Sequence, residues 1–142
     1  MRRQATSAEA DQPAPLGDGV LIIDDSQLMI TRMRDLVERL QYEVIGTAAS
    51  GEEALQLVRK LNPRVIILDH NLPRMSGVEF LRQLRQTDQV TRVIVCSGTL
   101  TLQAGREFIA AGASELLAKP VQLDQFVRAL ERCMADAPPS AG

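Results

Sequence analysis

The sequence is poor in the residues that bind soft or borderline metals. It holds one histidine and two cysteines among 142 residues. No cysteine or histidine stands at ligand spacing from another, which argues against a zinc or thiolate centre. Cys96 and Cys133 fall in a predicted buried strand and a predicted helix, and read as free core thiols of a reducing compartment. Long apolar runs are missing as well: none approaches the roughly 20 residues of a membrane span. The N-terminus carries charge but no apolar segment of the secretory kind, so a cytoplasmic location is expected. No charge sign dominates. The net charge of −2 and pI of about 5.4 speak against a nucleic-acid-binding domain, which is usually basic. Lysine is scarce too, with two against fourteen arginines.

What is present suits one globular domain with one sizeable core: 45% of residues are apolar. Residues 1–18 lack apolar periodicity and contain Pro13 and Pro15, so a disordered leader is expected. The tail from 135 to 142 is polar and proline-rich, and reads as flexible or as the start of a linker. Between them, from 19 to 134, short apolar runs alternate with helical patterns. Strands are predicted over Val20–Asp24, Tyr42–Thr47, Val65–Asp69, Val93–Ser97 and Glu115–Ala118. The first helix, about 26–40, should bury Leu28, Met29, Met33, Leu36, Val37 and Leu40. The second is capped by Ser50, with Glu53 completing a capping box, and is stopped at Asn62 and Pro63. The third, about 77–86, should bury Val78, Leu81 and Leu84; the fourth, about 101–111, stops at Gly112. The fifth, about 122–134, should turn Leu123, Phe126, Val127 and Leu130 inward.

Five strands alternating with five helices through short loops call for a parallel sheet covered on both faces by right-handed crossovers. The doubly wound, flavodoxin-like order 2-1-3-4-5 fits this length best. Ligands then bind beyond the carboxyl ends of the strands. The contiguous strands one, three, four and five end in Asp24 and Asp25, in Asp69, in Ser97 and in Lys119. Edge strand two ends without charge. Each residue has an ordinary reading: the Asp24–Asp25 pair can cap a helix, Asp69 can open a turn, Ser97 can be a small loop residue and Lys119 a solvated charge. Chance would not place all four at the four correct strand ends.

Three carboxylates brought together repel one another and raise each other's pKa. A divalent cation relieves this, and an oxygen-only donor set selects Mg²⁺. His70, one residue beyond Asp69, should aim elsewhere. A carboxylate, a hydroxyl and an ammonium beside such a cation suit phosphoryl transfer, with Asp69 as nucleophile.

The segments VLIIDDS (20–26), IILDHNLPRMSG (66–77), VIVCSG (93–98) and GASELLAKP (112–120) resemble the receiver (CheY-like) domain of two-component response regulators, over about residues 19–134. The resemblance implies Asp69 as phosphoacceptor. It implies Mg²⁺ on Asp25, Asp69 and the Asn71 carbonyl, with Asp24 assisting through water. Ser97 and Lys119 would contact the phosphoryl group, and the Lys119–Pro120 bond would be cis. The donor would be a phosphohistidine on a sensor kinase or phosphotransfer protein. The output would be a partner bound by the face of helix four, strand five and helix five, as a monomer or a phosphorylation-dependent dimer. Such a domain is no enzyme beyond its own phosphorylation and dephosphorylation. The wording DDSQLM, CSGTLT and AKP is similar to the receiver of the chemotaxis methylesterase, which adds the alternative of a regulatory half without its catalytic domain.

Two positions depart from the family pattern. Leu116 stands where an aromatic switch residue is usual, and Gly98 follows the switch hydroxyl where alanine is common. The resemblance implies that Asn71 and Thr99 flank the path of the water that hydrolyses the acyl phosphate. Leu102 is expected to be core, with an exposed output contact as the alternative. A pseudo-receiver that binds without phosphorylation is the third reading, opposed by the complete acid set. An aspartate-based phosphatase would need an acid where Asn71 stands.

Overall fold

The computed structural model describes residues 19–135; the expected leader and the tail beyond 135 lie outside them. Five strands, β1 (Gly19–Ile23), β2 (Glu43–Ala48), β3 (Val65–Asp69), β4 (Arg92–Ser97) and β5 (Glu115–Ala118), alternate with five helices. These are α1 (Gln27–Arg39), α2 (Gly51–Leu61), α3 (Gly77–Arg85), α4 (Leu102–Ala111) and α5 (Leu123–Ala135). The sheet is parallel throughout, in the order β2-β1-β3-β4-β5.

The unbroken apolar runs are explained by a core on each side. Leu21, Ile23, Ile66, Leu68, Val93 and Val95 point to one face, with Phe80, Leu81, Leu84 and Phe108. Val20, Ile22, Val65, Ile67, Ile94 and Cys96 point to the other, with Ile30, Met33, Val37, Phe126, Leu130 and Cys133. Alternate residues thus serve different cores, and no position along β1, or along β3 before Asp69, holds a polar residue. Both cysteines are buried thiols, and burial pushes that of Cys96 up to about 12.

Helix limits follow their caps. Ser26, Ser50, Ser76 and Thr101 each accept a backbone N–H three residues on. Glu53 Oε1 accepts from Ala49 N at 2.9 Å, so the reciprocal bond expected at the Ser50 N–H of a capping box falls one residue earlier. Gly112 ends α4 at φ 110°, where a side chain would be strained.

Three apolar residues sit otherwise than expected. Leu28 is 60% exposed, because α1 buries the stripe Ile30, Met33 and Val37, and a residue two positions before Ile30 faces away. Leu123, the first residue of α5, precedes the buried stripe Phe126, Ala129, Leu130 and Cys133 and is 61% exposed. Leu102 is 74% exposed rather than core, for α4 reaches the sheet only further along, through Phe108 and Ala111. In α3, Val78 is half-buried while Phe80 is fully buried.

Candidate functional site

The finishing ends of β1, β3, β4 and β5 lie side by side, as the strand order requires. Asp24 follows the last residue of β1. Its backbone N–H donates to Ala48 O at 2.9 Å, tying it to the end of β2, and its Oδ1 accepts from Ser26 N at 2.9 Å. Ser26, not Asp24 or Asp25, caps α1, so the two acids are left for another task. Asp69 closes β3 opposite Cys96 of β4. One carboxylate oxygen from each of Asp24, Asp25 and Asp69 lies within 4.8 Å of the others. Asp24 and Asp69 are buried and Asp25 is exposed, so the cluster opens to solvent on one side.

Lys119 follows β5, and its Nζ donates to Asp69 Oδ1 at 2.7 Å. Its N–H donates to Ser97 O at 2.8 Å, joining the ends of β4 and β5. Ser97 is buried, and its Oγ accepts from Thr99 N at 3.2 Å. The Lys119–Pro120 bond is cis. The β3 end thus has a carboxylate paired to an ammonium, with a hydroxyl on the neighbouring strand end.

The electrostatics are those of a site short of positive charge. Burial raises the pKa of Asp24, and the charges of Asp69 and Asp25 add to it; the Ser26 N–H and the Lys119 charge oppose the rise without cancelling it. Burial alone would lower the Lys119 pKa, but its bond to Asp69 and the nearby Asp24 outweigh burial and hold it above the ordinary lysine range. One ammonium thus serves three carboxylates. An all-oxygen donor set of this charge fits a hard divalent cation.

Asn71 is exposed, two residues beyond Asp69 in the β3–α3 loop. Gly98 and Thr99 are exposed after β4, and a Cβ at Gly98 would meet nothing within 4 Å. Leu116 is half-buried against the core beneath α4, near Gly105. His70 turns its ring to Phe108, edge-on at 5.0 Å between centroids, and stays out of the acid cluster. Ser26 and the Ala48 carbonyl were not singled out from sequence, although a serine just before an apolar-periodic segment is a cap signal.

The response regulator receiver domain family matches residues 20–131 of the chain. Chemotaxis protein CheY of Thermotoga maritima is 32% identical over 117 residues, which cover 82% of this chain and 98% of that protein. The response regulator domain of CheB from the same organism superposes with a TM-score of 0.76 at 26% identity, covering 84% of this chain and 98% of that one. A chain of the CheX–CheY–BeF3–Mg²⁺ complex from Borrelia burgdorferi does so with a TM-score of 0.79 at 25% identity, covering 85% and 92%. Among the described residues no helix is long and apolar enough to cross a membrane. A five-stranded sheet in this order, an acid trio at the finishing ends of β1 and β3 and a family match over nearly the whole described chain agree: this chain belongs to the receiver domain family of two-component response regulators.

Proposed function

We propose that Asp69 is the phosphoacceptor of a receiver unit spanning residues 19–134, and that phosphorylation switches the binding of an output partner. The observation that carries this is the acid trio within 4.8 Å with Lys119 on Asp69 at 2.7 Å. A carboxylate oxygen of Asp69 attacks the phosphorus of a phosphohistidine; the P–N bond breaks, and the imidazole leaves with the electron pair and takes up a proton. Lys119 shifts from the carboxylate toward the transferred oxygens as a compact point charge, and Ser97 donates to one of them. Asp24, Asp25, Asp69 and the Asn71 carbonyl would hold Mg²⁺, which when bound neutralises charge on the phosphoryl oxygens. Water reaching Asp69 past Asn71 and Thr99 reverses the modification, and the chain turns over no other substrate.

The partners on the input side are a histidine kinase or phosphotransfer protein. On the output side the face of α4, β5 and α5 is proposed, where Leu102 and Ile109 are exposed apolar residues about two turns apart on one helix stripe. Movement of Ser97 toward the phosphoryl group would draw the β4–α4 loop with it; Leu116, lacking a ring, cannot report this by an aromatic rotamer change. The likeness to the Thermotoga maritima CheY supports the reading as a phosphorylation-dependent binding switch. The CheB likeness supports a second reading as the regulatory half of a methylesterase, decided by whether the gene encodes a GxSxG domain beyond residue 142.

Intact mass after incubation with Mg²⁺ and a small phosphodonor tests the proposal. One added phosphoryl group is expected, and none on Asp69→Ala. No addition, together with no binding of beryllofluoride, would make the chain a pseudo-receiver.

A further inference from the structure

The end of β2 carries no charge and gives the acid cluster no ligand, yet the corner from β2 into α2 touches both loops that flank that cluster. Ala48 O holds Asp24 N at 2.9 Å, which fixes the β1–α1 loop. On the other side, Met75 of the β3–α3 loop lies across Gly51, the first residue of α2. A Cβ built on Gly51 would stand 2.5 Å from Met75 Sδ, 3.2 Å from its Cγ and 3.3 Å from its Cβ. The side chain from its root to its sulfur therefore rests on the glycine. Met75 is only 8% exposed and belongs to the core beneath α2 and α3, so swinging it into solvent would expose a buried thioether. Gly51 has an ordinary backbone conformation, since no positive φ is recorded for it; its lack of a side chain is needed for space alone.

The loop is pinned from within as well. Met75 N donates to Pro73 O at 2.7 Å, Arg74 has φ 66°, and Gly77 N donates to His70 O at 3.2 Å. Between His70 and Met75 lies Asn71. A displacement at Met75 has few soft torsions to absorb it before it reaches the Asn71 carbonyl. The support is stiff: Ser50 Oγ accepts from Glu53 N and Glu53 Oε1 accepts from Ala49 N around the first turn of α2.

We propose that Gly51 and Met75 together position the β3–α3 loop, and with it the Asn71 carbonyl, for cation binding at the acid cluster. The inference rests on the cation site proposed above. Groups that orient metal ligands without touching the metal change affinity strongly when altered, and this contact acts in that manner by packing rather than by a hydrogen bond.

The test is a double-mutant cycle on Mg²⁺ affinity, followed by NMR shifts of the folded protein at 25 °C, with thermal midpoints in EDTA recorded alongside. Gly51→Ala is expected to weaken Mg²⁺ binding by about tenfold. Met75→Ala, which removes the anchor, should weaken it to a similar extent. In the Met75→Ala background the glycine change should cost less than about twofold, because the two residues form one coupled contact. Equal cost of Gly51→Ala in both backgrounds, or affinity within about twofold of the unaltered chain in all variants while only the midpoints fall, would overturn the inference. Absence of Mg²⁺ binding by the unaltered chain would instead overturn the cation site itself. Should Gly51→Ala not fold, Met75→Ala decides alone: unchanged affinity rejects the positioning role.

Discussion

Where the strands of this sheet begin, a part-buried polar network gathers many hydrogen bonds; where they finish, a similar set of charges is left short of partners. At the beginning of β4, Asp88 Oδ1 accepts from Val90 N at 2.8 Å and Thr91 N at 3.0 Å. Thr91 Oγ1 lies 2.6 Å from Asp88 Oδ2 and 3.2 Å from Pro63 O. Arg85 spans to the beginning of β5, donating to Gly112 O through Nη2 at 2.8 Å and to Asp88 O through Nη1 at 3.1 Å. Ser114 Oγ accepts from Val93 N at 3.0 Å. One aspartate there takes three donors. At the finishing ends, three aspartates share one ammonium and the N–H of Ser26. The contrast shows how one fold separates tasks: satisfied charge stabilises, and charge left wanting is held ready for a ligand.

Four predictions bear on this contrast, taken from the largest effect on stability to the smallest. Asp88→Ala removes three accepted bonds and leaves buried donors unpaired, so chemical denaturation should show a loss of about 2–3 kcal/mol, with phosphorylation retained. Gly112→Ala forces a side chain into φ 110° and against Arg85, whose Nε would stand 2.7 Å from the new Cβ. Its cost should be about 1–2 kcal/mol by the same measurement, again with the site chemistry intact. Added Mg²⁺ should stabilise the protein at neutral pH by about 1.4 kcal/mol at ten times its dissociation constant; Asp25→Asn should lose most of that gain, and Asp88→Ala should keep it.

The smallest effect is in the pH profile. Asp24 has a folded pKa above its ordinary value of 3.8. The folded state therefore binds the extra proton more readily than the unfolded chain, and this group's contribution falls as pH rises from 3.8 through the raised value. In EDTA, acidification through that window should relieve the penalty from Asp24, and Asp24→Asn should flatten that part of the profile. Lys119 works in the same sense at high pH: its pairing with Asp69 persists below 10.5 and is lost as pH climbs through its raised folded pKa.

The finishing end was more legible in the sequence than the beginning. Asp69 stands out because it ends a run of four apolar residues, Val65–Leu68, buried on both faces. Strand order then brought Asp24, Asp25, Ser97 and Lys119 to it, and the acid cluster and the Lys119–Asp69 bond lie where that order requires. The network of Asp88, Thr91 and Arg85 was not legible, because TDQVT reads as an ordinary polar loop and its partners Gly112 and Pro63 are distant in sequence. Helix facing was only partly legible: in α1 the apolar residues Leu28, Met29 and Ile30 are consecutive, so periodicity cannot say which one meets the sheet. Leu102 and Leu123 begin their helices, and composition does not show whether a first turn lies over the sheet or past its end. The fit of Met75 on Gly51 depends on a separation of a few tenths of an ångström, which no residue pattern records.

The most direct measurement is the thermal midpoint of Asp24→Asn beside that of Asp88→Asn, both in EDTA at neutral pH. Each change removes one negative charge and keeps the carbonyl oxygen that can accept the local backbone bond. The contrast between the two ends predicts shifts of opposite sign: upward for Asp24→Asn, which relieves an under-compensated cluster, and downward for Asp88→Asn, which breaks a completed network. A fall in both would contradict it, for Asp24 would then be as well compensated as Asp88, and the finishing end would hold no charge waiting for a cation.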